Sequence, residues 1–352
     1  TAKRGVSTGA SQANQRDVSP HLVHRRGVSD VYLSRLMYPD KSLPFMLDAR
    51  ESPSFARSVL SLIDWVSNNR DLFDSWLTKH GAVLLRGFTV NTPEEFESIV
   101  CAVQPELLNY IEGDSPRTKI TGKVYTSTEY PETYQISLHN ELSYAHQWPR
   151  KIFFYCATPP AQGGETPIVD CREVLQALAP QVRERFVSRK VRYVNNLHGG
   201  NGVGKTWQDT FETNDKSDVV RYLSAGGVDF TWNDRGTLRT TQIRDAVISH
   251  PVTGELVWFN QAEQWHPSML DLKNRRAMTA LGMKDEDLPH YASFGDGGPL
   301  DERELNDIRT LMRERAVYFP WQQGDVLVLD NVLVAHGRNS FKGPRKILVA
   351  MA

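Results

Sequence analysis

Ser137-Leu138-His139-Asn140-Glu141-Leu142-Ser143-Tyr144 sets an imidazole and a carboxylate two residues apart at what reads as the end of a strand. Residues i and i+2 of a strand project from one face, so His139 and Glu141 are candidate metal ligands. A second histidine, His336, follows the apolar run Val326-Leu327-Val328-Leu329 and the turn-prone pair Asp330-Asn331. Two imidazoles and one carboxylate on one side of an iron(II) ion leave three positions open, room for a bidentate keto acid and dioxygen. The triplet alone is weak evidence, because a lone strand histidine is more often a structural residue.

Further along, the ending His336-Gly337-Arg338-Asn339-Ser340-Phe341-Lys342-Gly343-Pro344-Arg345 leads an arginine into another apolar strand. A planar guanidinium fork at that place suits the distal carboxylate of 2-oxoglutarate, held through two parallel hydrogen bonds. Without the upstream histidine, Arg345 would read as a solvated surface charge.

Around these blocks the texture is that of an antiparallel β core. Short strands are expected at Ile152-Phe153-Phe154-Tyr155, Val317-Tyr318-Phe319, Val326 to Leu329 and Ile347-Leu348-Val349. A hairpin is expected from Ala246 to Asn260, turning at Thr253-Gly254. Helical spacing recurs over residues 55–79, 172–188, 272–282 and 301–315, and a buried strand is expected at Val83-Leu84-Leu85. Thr92-Pro93-Glu94-Glu95 opens a helix with Thr as N-cap and Pro at the first helical position. Residues 1–29 are polar and poor in aromatics, an arm that cannot bury enough surface to order itself alone, and residues 30–352 read as one domain.

The bulk properties leave the partner small. The chain has 352 residues and 40% apolar content, enough for a substantial core. Lys plus Arg (41) nearly cancel Asp plus Glu (42), so no strong field draws the molecule onto nucleic acid or anionic lipid. Cys101, Cys156 and Cys171 are too few and scattered for a disulfide framework, and no apolar run reaches membrane-spanning length. A cytoplasmic location is expected.

The sequence resembles the taurine dioxygenase and clavaminate synthase superfamily, and within it the branch of amino-acid hydroxylases from natural-product clusters typified by the syringomycin aspartyl hydroxylase. The likeness covers about residues 80–352. It rests on His139-Asn140-Glu141, on Thr158-Pro159-Pro160 through Gly163-Gly164-Glu165-Thr166-Pro167, on Val257-Trp258-Phe259-Asn260-Gln261, and on Gly324-Asp325 through Arg345. It implies an α+β fold with a double-stranded β-helix (jelly-roll, cupin-like) core, flanking helices and a large insertion between the metal-binding strands. It implies Fe(II) on His139, Glu141 and His336, with 2-oxoglutarate bound by Thr166 and Arg345 and dioxygen as the second co-substrate.

The commonest acidic ligand of that superfamily is Asp, whereas this chain has Glu141, as clavaminate synthase-like members do. The implied activity is oxidation, above all hydroxylation, of an unactivated C–H bond in an amino acid or amino-acid-derived molecule, free or carrier-tethered, in antibiotic or other secondary metabolism. The alternative is catabolic oxidation of a sulfonate or similar small acid. Gln135, Tyr144, Arg239 and Asn260, polar or aromatic residues in or near the matching blocks, are the candidate substrate contacts.

One rival class stands in plain view. Gly199-Gly200-Asn201-Gly202-Val203-Gly204-Lys205-Thr206 matches the phosphate-loop pattern of nucleotide hydrolases. Such a loop needs a buried parallel strand before it and a packed helix after it. Asn195-Asn196-Leu197-His198 is too polar for that strand, and only a short segment follows Thr206. The glycine run then reads as a loop over the active site, with Lys205 a solvated charge or a substrate contact. A β-barrel that holds metal without using dioxygen is a third reading.

Overall fold

The computed structural model describes residues 21–24, 31–113, 115–280 and 282–352. Of the arm expected over residues 1–29, only His21–His24 are described; they form a strand antiparallel to Val31–Leu36, and the remainder lies outside the described residues.

Two sheets face each other around the centre of the molecule. The larger has nine strands, ordered His21–His24, Val31–Leu36, Phe45–Asp48, Ala82–Arg86, Val326–Asp330, Lys151–Thr158, Lys346–Met351, Val124–Thr126 and Lys119–Thr121. The smaller runs Ile168–Asp170, Val334–Arg338, Ile136–His139, all antiparallel. The central strands read as unbroken apolar runs because both faces are covered. Val326 and Val328 join Phe153, Tyr155, Val83 and Leu85 against the helices Val59–Asn68, Arg70–His80 and Pro93–Val103. Leu327 and Leu329 join Ile152, Phe154 and Leu84 on the opposite face, where Leu138, Ile168 and Val334 of the smaller sheet complete the core.

Local chemistry explains where the helices begin and break. Thr92 and Glu95 form a reciprocal capping box with Pro93 in the first turn. The helix expected over 55–79 is divided at Asn69, whose Nδ2 donates back to Trp65 O at 2.8 Å. The one expected over 172–188 is divided before Pro180, which lacks an N–H and holds Ala179 extended. Val317-Tyr318-Phe319 makes only an isolated bridge, Val317 to Ile168, because Pro320 follows and cannot donate to a ladder. The hairpin forms as expected, Val247–Ser249 against Leu256–Trp258.

Between the two histidine-bearing strands, the chain builds a separate four-stranded sheet, Asp229–Trp232, Leu238–Arg244, Val191–Leu197 and His290–Phe294, over a cluster of Leu197, Trp207, Phe211, Leu223 and Leu238. The strand Val191–Leu197 runs through Asn195-Asn196, the stretch expected to be too polar for the buried parallel strand of a phosphate loop, and it is antiparallel and only partly buried. One face of an antiparallel strand meets solvent, so polar residues are tolerated there. Both of its neighbours are antiparallel and the helix after the glycine run is five residues, Trp207–Phe211, so the phosphate-loop context is still missing. Among the described residues, no helix is long and apolar enough to cross a membrane, and none of the three cysteines is disulfide-bonded.

Candidate metal centre

His139 closes the strand Ile136–His139 and lies directly across from His336 in the antiparallel ladder, so pairing alone brings the two imidazoles together at a centroid distance of 4.6 Å. That ladder contains a bulge. Two residues, Ser137 and Leu138, stand opposite Gly337 alone, and as a result Ile136 and His139 both line the cavity between the sheets. The bulge needs a glycine: a Cβ at Gly337 would lie 2.6 Å from Ile136 O.

Glu141 sits in the turn after the strand, and its backbone is pinned from the facing element. Asn331 Oδ1 accepts from Glu141 N at 2.8 Å, and Asn331 Nδ2 donates to Glu141 O at 3.0 Å and Pro149 O at 2.8 Å. Glu141 Oε2 then stands 3.9 Å from His139 Nε2 and 3.7 Å from His336 Nε2. One ligand atom from each of the three residues falls within 4.8 Å of the others.

The protonation states suit a cation. Burial first, and the neighbouring His336 second, bring His139 down to about 4, so the ring is neutral near pH 7. Its Nδ1 lies 2.8 Å from Ser137 O, the arrangement in which Nδ1–H donates and the Nε2 lone pair faces the cavity. Burial alone would raise the Glu141 carboxyl, yet Arg117 and the two histidines together hold it well below its ordinary value. Two imidazoles, that of His139 neutral, and an ionised carboxylate converging at a buried point fit a divalent first-row metal such as iron(II).

The same cavity is lined by Thr166, Arg338, Arg345, Ser127, Phe154 and Arg117. Thr166 Oγ1 accepts from Trp321 Nε1 at 3.2 Å, which leaves its own O–H to donate. Arg345 gives Nε to Gly164 O at 3.0 Å and Nη1 to Ser127 Oγ at 3.3 Å. Burial, then the like charge of Arg338, lowers Arg345 to about 10, and the guanidinium stays charged at neutral pH. Arg338 is spent on structure: it donates to the carbonyls of Thr128, Tyr130, Pro131 and Tyr134 and so fastens that loop to the His336 strand.

The expected metal and 2-oxoglutarate residues are thus brought together, and the four expected substrate contacts are not. Gln135 lines a different pocket of about 380 Å³, on the other side of the bulged strand with Ser137, Glu263 and Arg309. Tyr144 is buried, donates to Glu112 O at 2.6 Å and packs on Trp265. Asn260 holds a turn, donating to Ala246 O and accepting from Ala262 N. Arg239 pairs with Glu286 at 3.0 Å in the four-stranded sheet. Each was chosen by nearness in the chain, which does not report nearness to the cavity. Lys205 is half-buried and does not line this cavity; it donates to Gly113 O at 2.7 Å. Sequence reasoning missed Arg117 and Asn331. Asn331 lies beside the quoted Asp330 turn, whereas Arg117 stands in an aperiodic polar stretch with no motif to mark it.

Two facing sheets that place a buried His–Glu–His group beside an arginine-lined cavity define a class, the mononuclear non-haem iron(II) oxygenases with a jelly-roll, double-stranded β-helix core. The chain belongs to the taurine catabolism dioxygenase TauD, TfdA family, which it matches over residues 48–351. It is 37% identical over 278 residues to the dapdiamide synthesis protein DdaC of Enterobacter agglomerans, covering 79% of this chain and 84% of that one. To a clavaminate synthase-like protein of Arabidopsis thaliana it is 31% identical over 326 residues, covering 89% and 94%. The solved structure of the PvcB protein from Pseudomonas aeruginosa has a TM-score of 0.51 at 14% identity, covering 91% and 90%, a likeness of fold. The enzyme is a 2-oxoglutarate-dependent dioxygenase, with Fe(II), 2-oxoglutarate and dioxygen as its cofactor and co-substrates.

Proposed function

We propose that this enzyme hydroxylates an unactivated C–H bond of an amino acid or an amino-acid-derived small molecule, free or carrier-tethered, in secondary metabolism. The observation that carries this reading is the single cavity shared by His139, His336, Thr166 and Arg345, with the Glu141 carboxylate converging on its two histidines. His139, Glu141 and His336 hold the iron, and Arg345 and Thr166 bind the distal carboxylate of 2-oxoglutarate. Bound there, the iron and keto acid supply dioxygen activation coupled to oxidative decarboxylation. The chain's own part is to fix three ligands on one side, to hold the keto acid by charge-assisted hydrogen bonds, and to keep water out with Phe154 and Ile136. Residues 30–352 act as one catalytic domain with residues 1–29 as an arm, in the cytoplasm.

The likeness to a dapdiamide synthesis protein at 37% identity favours a biosynthetic amino-acid-like substrate over a sulfonate. The test supplies iron(II), 2-oxoglutarate and oxygen with a panel of L-amino acids, carrier-bound aminoacyl groups, and taurine with other small sulfonates. Succinate release stimulated by an amino acid or aminoacyl carrier is the expected result. Release stimulated by sulfonates alone would transfer the enzyme to catabolism.

A further inference from the structure

Three arginines line the metal cavity, and their donors are committed very differently. Arg338 gives four hydrogen bonds to backbone carbonyls, and Arg345 gives two. Arg117 has one ion-pair contact, Nη2 to Glu141 Oε2 at 2.8 Å, while its Nε and Nη1 are buried with no hydrogen-bond partner. Its side chain is only 4% exposed. Buried guanidinium donors are ordinarily satisfied, so two idle ones facing a cavity mark a place for an acceptor.

The Tyr110 side chain helps to hold this guanidinium in place. The guanidinium carbon lies 4.2 Å from the centroid of the Tyr110 ring. The segment before Arg117 is braced by the four-stranded sheet and the helices beside it: Glu112 N donates to Thr210 O, Lys205 Nζ donates to Gly113 O, and the Glu112 carboxylate accepts from Tyr222 and Gln242. The engaged Nη2 sits between the two idle nitrogens. Nη2 keeps one of its two hydrogens, so on the edge that Glu141 leaves open an acceptor meets an adjacent pair of N–H groups, the geometry a carboxylate takes bidentately.

We propose that Arg117 receives the C1 carboxylate of the keto acid, the group next to the keto oxygen, at the metal end of the cavity. The Glu141 oxygen that Arg117 touches is the one that also faces both imidazoles at 3.9 and 3.7 Å. A carboxylate bound beside Glu141 on the same ion would lie within reach of the idle donors. This assignment rests on the 2-oxoglutarate reading of the cavity and adds a second carboxylate receptor to Arg345.

The experiment uses the full chain loaded with manganese(II), which is redox-silent, titrated with 2-oxoglutarate and with pyruvate, a keto acid that lacks the distal carboxylate. Arg345→Leu is expected to weaken 2-oxoglutarate alone and leave pyruvate unchanged. Arg117→Met is expected to weaken both keto acids in parallel, by roughly tenfold to a hundredfold for a charge-assisted pair. Manganese affinity should not fall in that variant, since a cation competing for Glu141 has been removed. Arg117→Lys keeps the charge and loses the fork, and carries the test if the methionine variant misfolds; it too should weaken both keto acids. Wild-type affinity for both in either folded, manganese-loaded variant would overturn the assignment. Absence of 2-oxoglutarate binding by the wild type would instead overturn the cavity reading, and this proposal with it.

Discussion

At the residue scale, the site depends on which charges are buried and what satisfies them. Arg345 gives two hydrogen bonds inside the protein, to Gly164 O and Ser127 Oγ. Arg345→Leu should therefore weaken 2-oxoglutarate by roughly tenfold to a hundredfold, the worth of hydrogen bonds to a charged group, with iron affinity retained. Titration of the iron-loaded variant with 2-oxoglutarate reads this directly, and unchanged affinity would move the role to another base. His139 makes a pH prediction for the metal-free protein. In the unfolded chain an imidazole takes up its proton near pH 6.5, but in the fold His139 waits until about 4. Between those values the unfolded state binds more protons, so stability is flat above pH 6.5 and falls as the pH drops toward 4. From pH 7.5 to 5 the loss from this residue is about 2 kcal/mol, and denaturant melts should show it in the wild type and not in His139→Gln. That His139, Glu141 and His336 converge and that Arg345 lines the same cavity was legible in the sequence because a motif marked those residues. Arg117 was not, because its role depends on a loop folding back over a site with which it shares no periodicity.

At the scale of elements, the His139 strand and the His336 strand form one device. Their pairing sets the imidazoles opposite each other, and the bulge at Ser137-Leu138 turns both Ile136 and His139 inward. Gly337→Ala would place a methyl group 2.6 Å from a backbone carbonyl that has nowhere to go. Overpacking of that kind costs about 1–3 kcal/mol, and the ligand spacing should widen with it. Iron titration should show weakened binding together with a lowered denaturation midpoint; iron affinity equal to the wild type would mean that the bulge does not set the ligand geometry. Most strands near the site were legible because two covered faces leave unbroken apolar runs, as in Val326 to Leu329. The strand Val191–Leu197 was not, because its burial alternates irregularly and Asn195 and Asn196 meet partial solvent. Helix breaks at Asn69 and before Pro180 were marked by residues whose chemistry permits a break without requiring one.

At the scale of the whole molecule, the two cores meet at the central strands, one face on helices and the other on the smaller sheet. Val326–Asp330 pairs with both Ala82–Arg86 and Lys151–Thr158, segments far away in sequence, and composition or period carries no record of such partners. The architecture was legible only through ordered blocks that resemble a family; the pairing order, the four-stranded sheet over Trp207 and the brace it lends to the Arg117 loop were not. What the whole arrangement achieves is a buried His–Glu–His metal site beside a cationic cavity, and its chemistry depends on His139, Glu141 and His336 acting together. The most direct test is the visible absorption of anaerobic protein reconstituted with iron(II) and 2-oxoglutarate, since a keto acid chelating the metal gives a weak charge-transfer band and needs two adjacent open positions. The wild type should show the band and His336→Ala should lose it; a band that survives this substitution at full intensity would contradict the assignment of the metal centre.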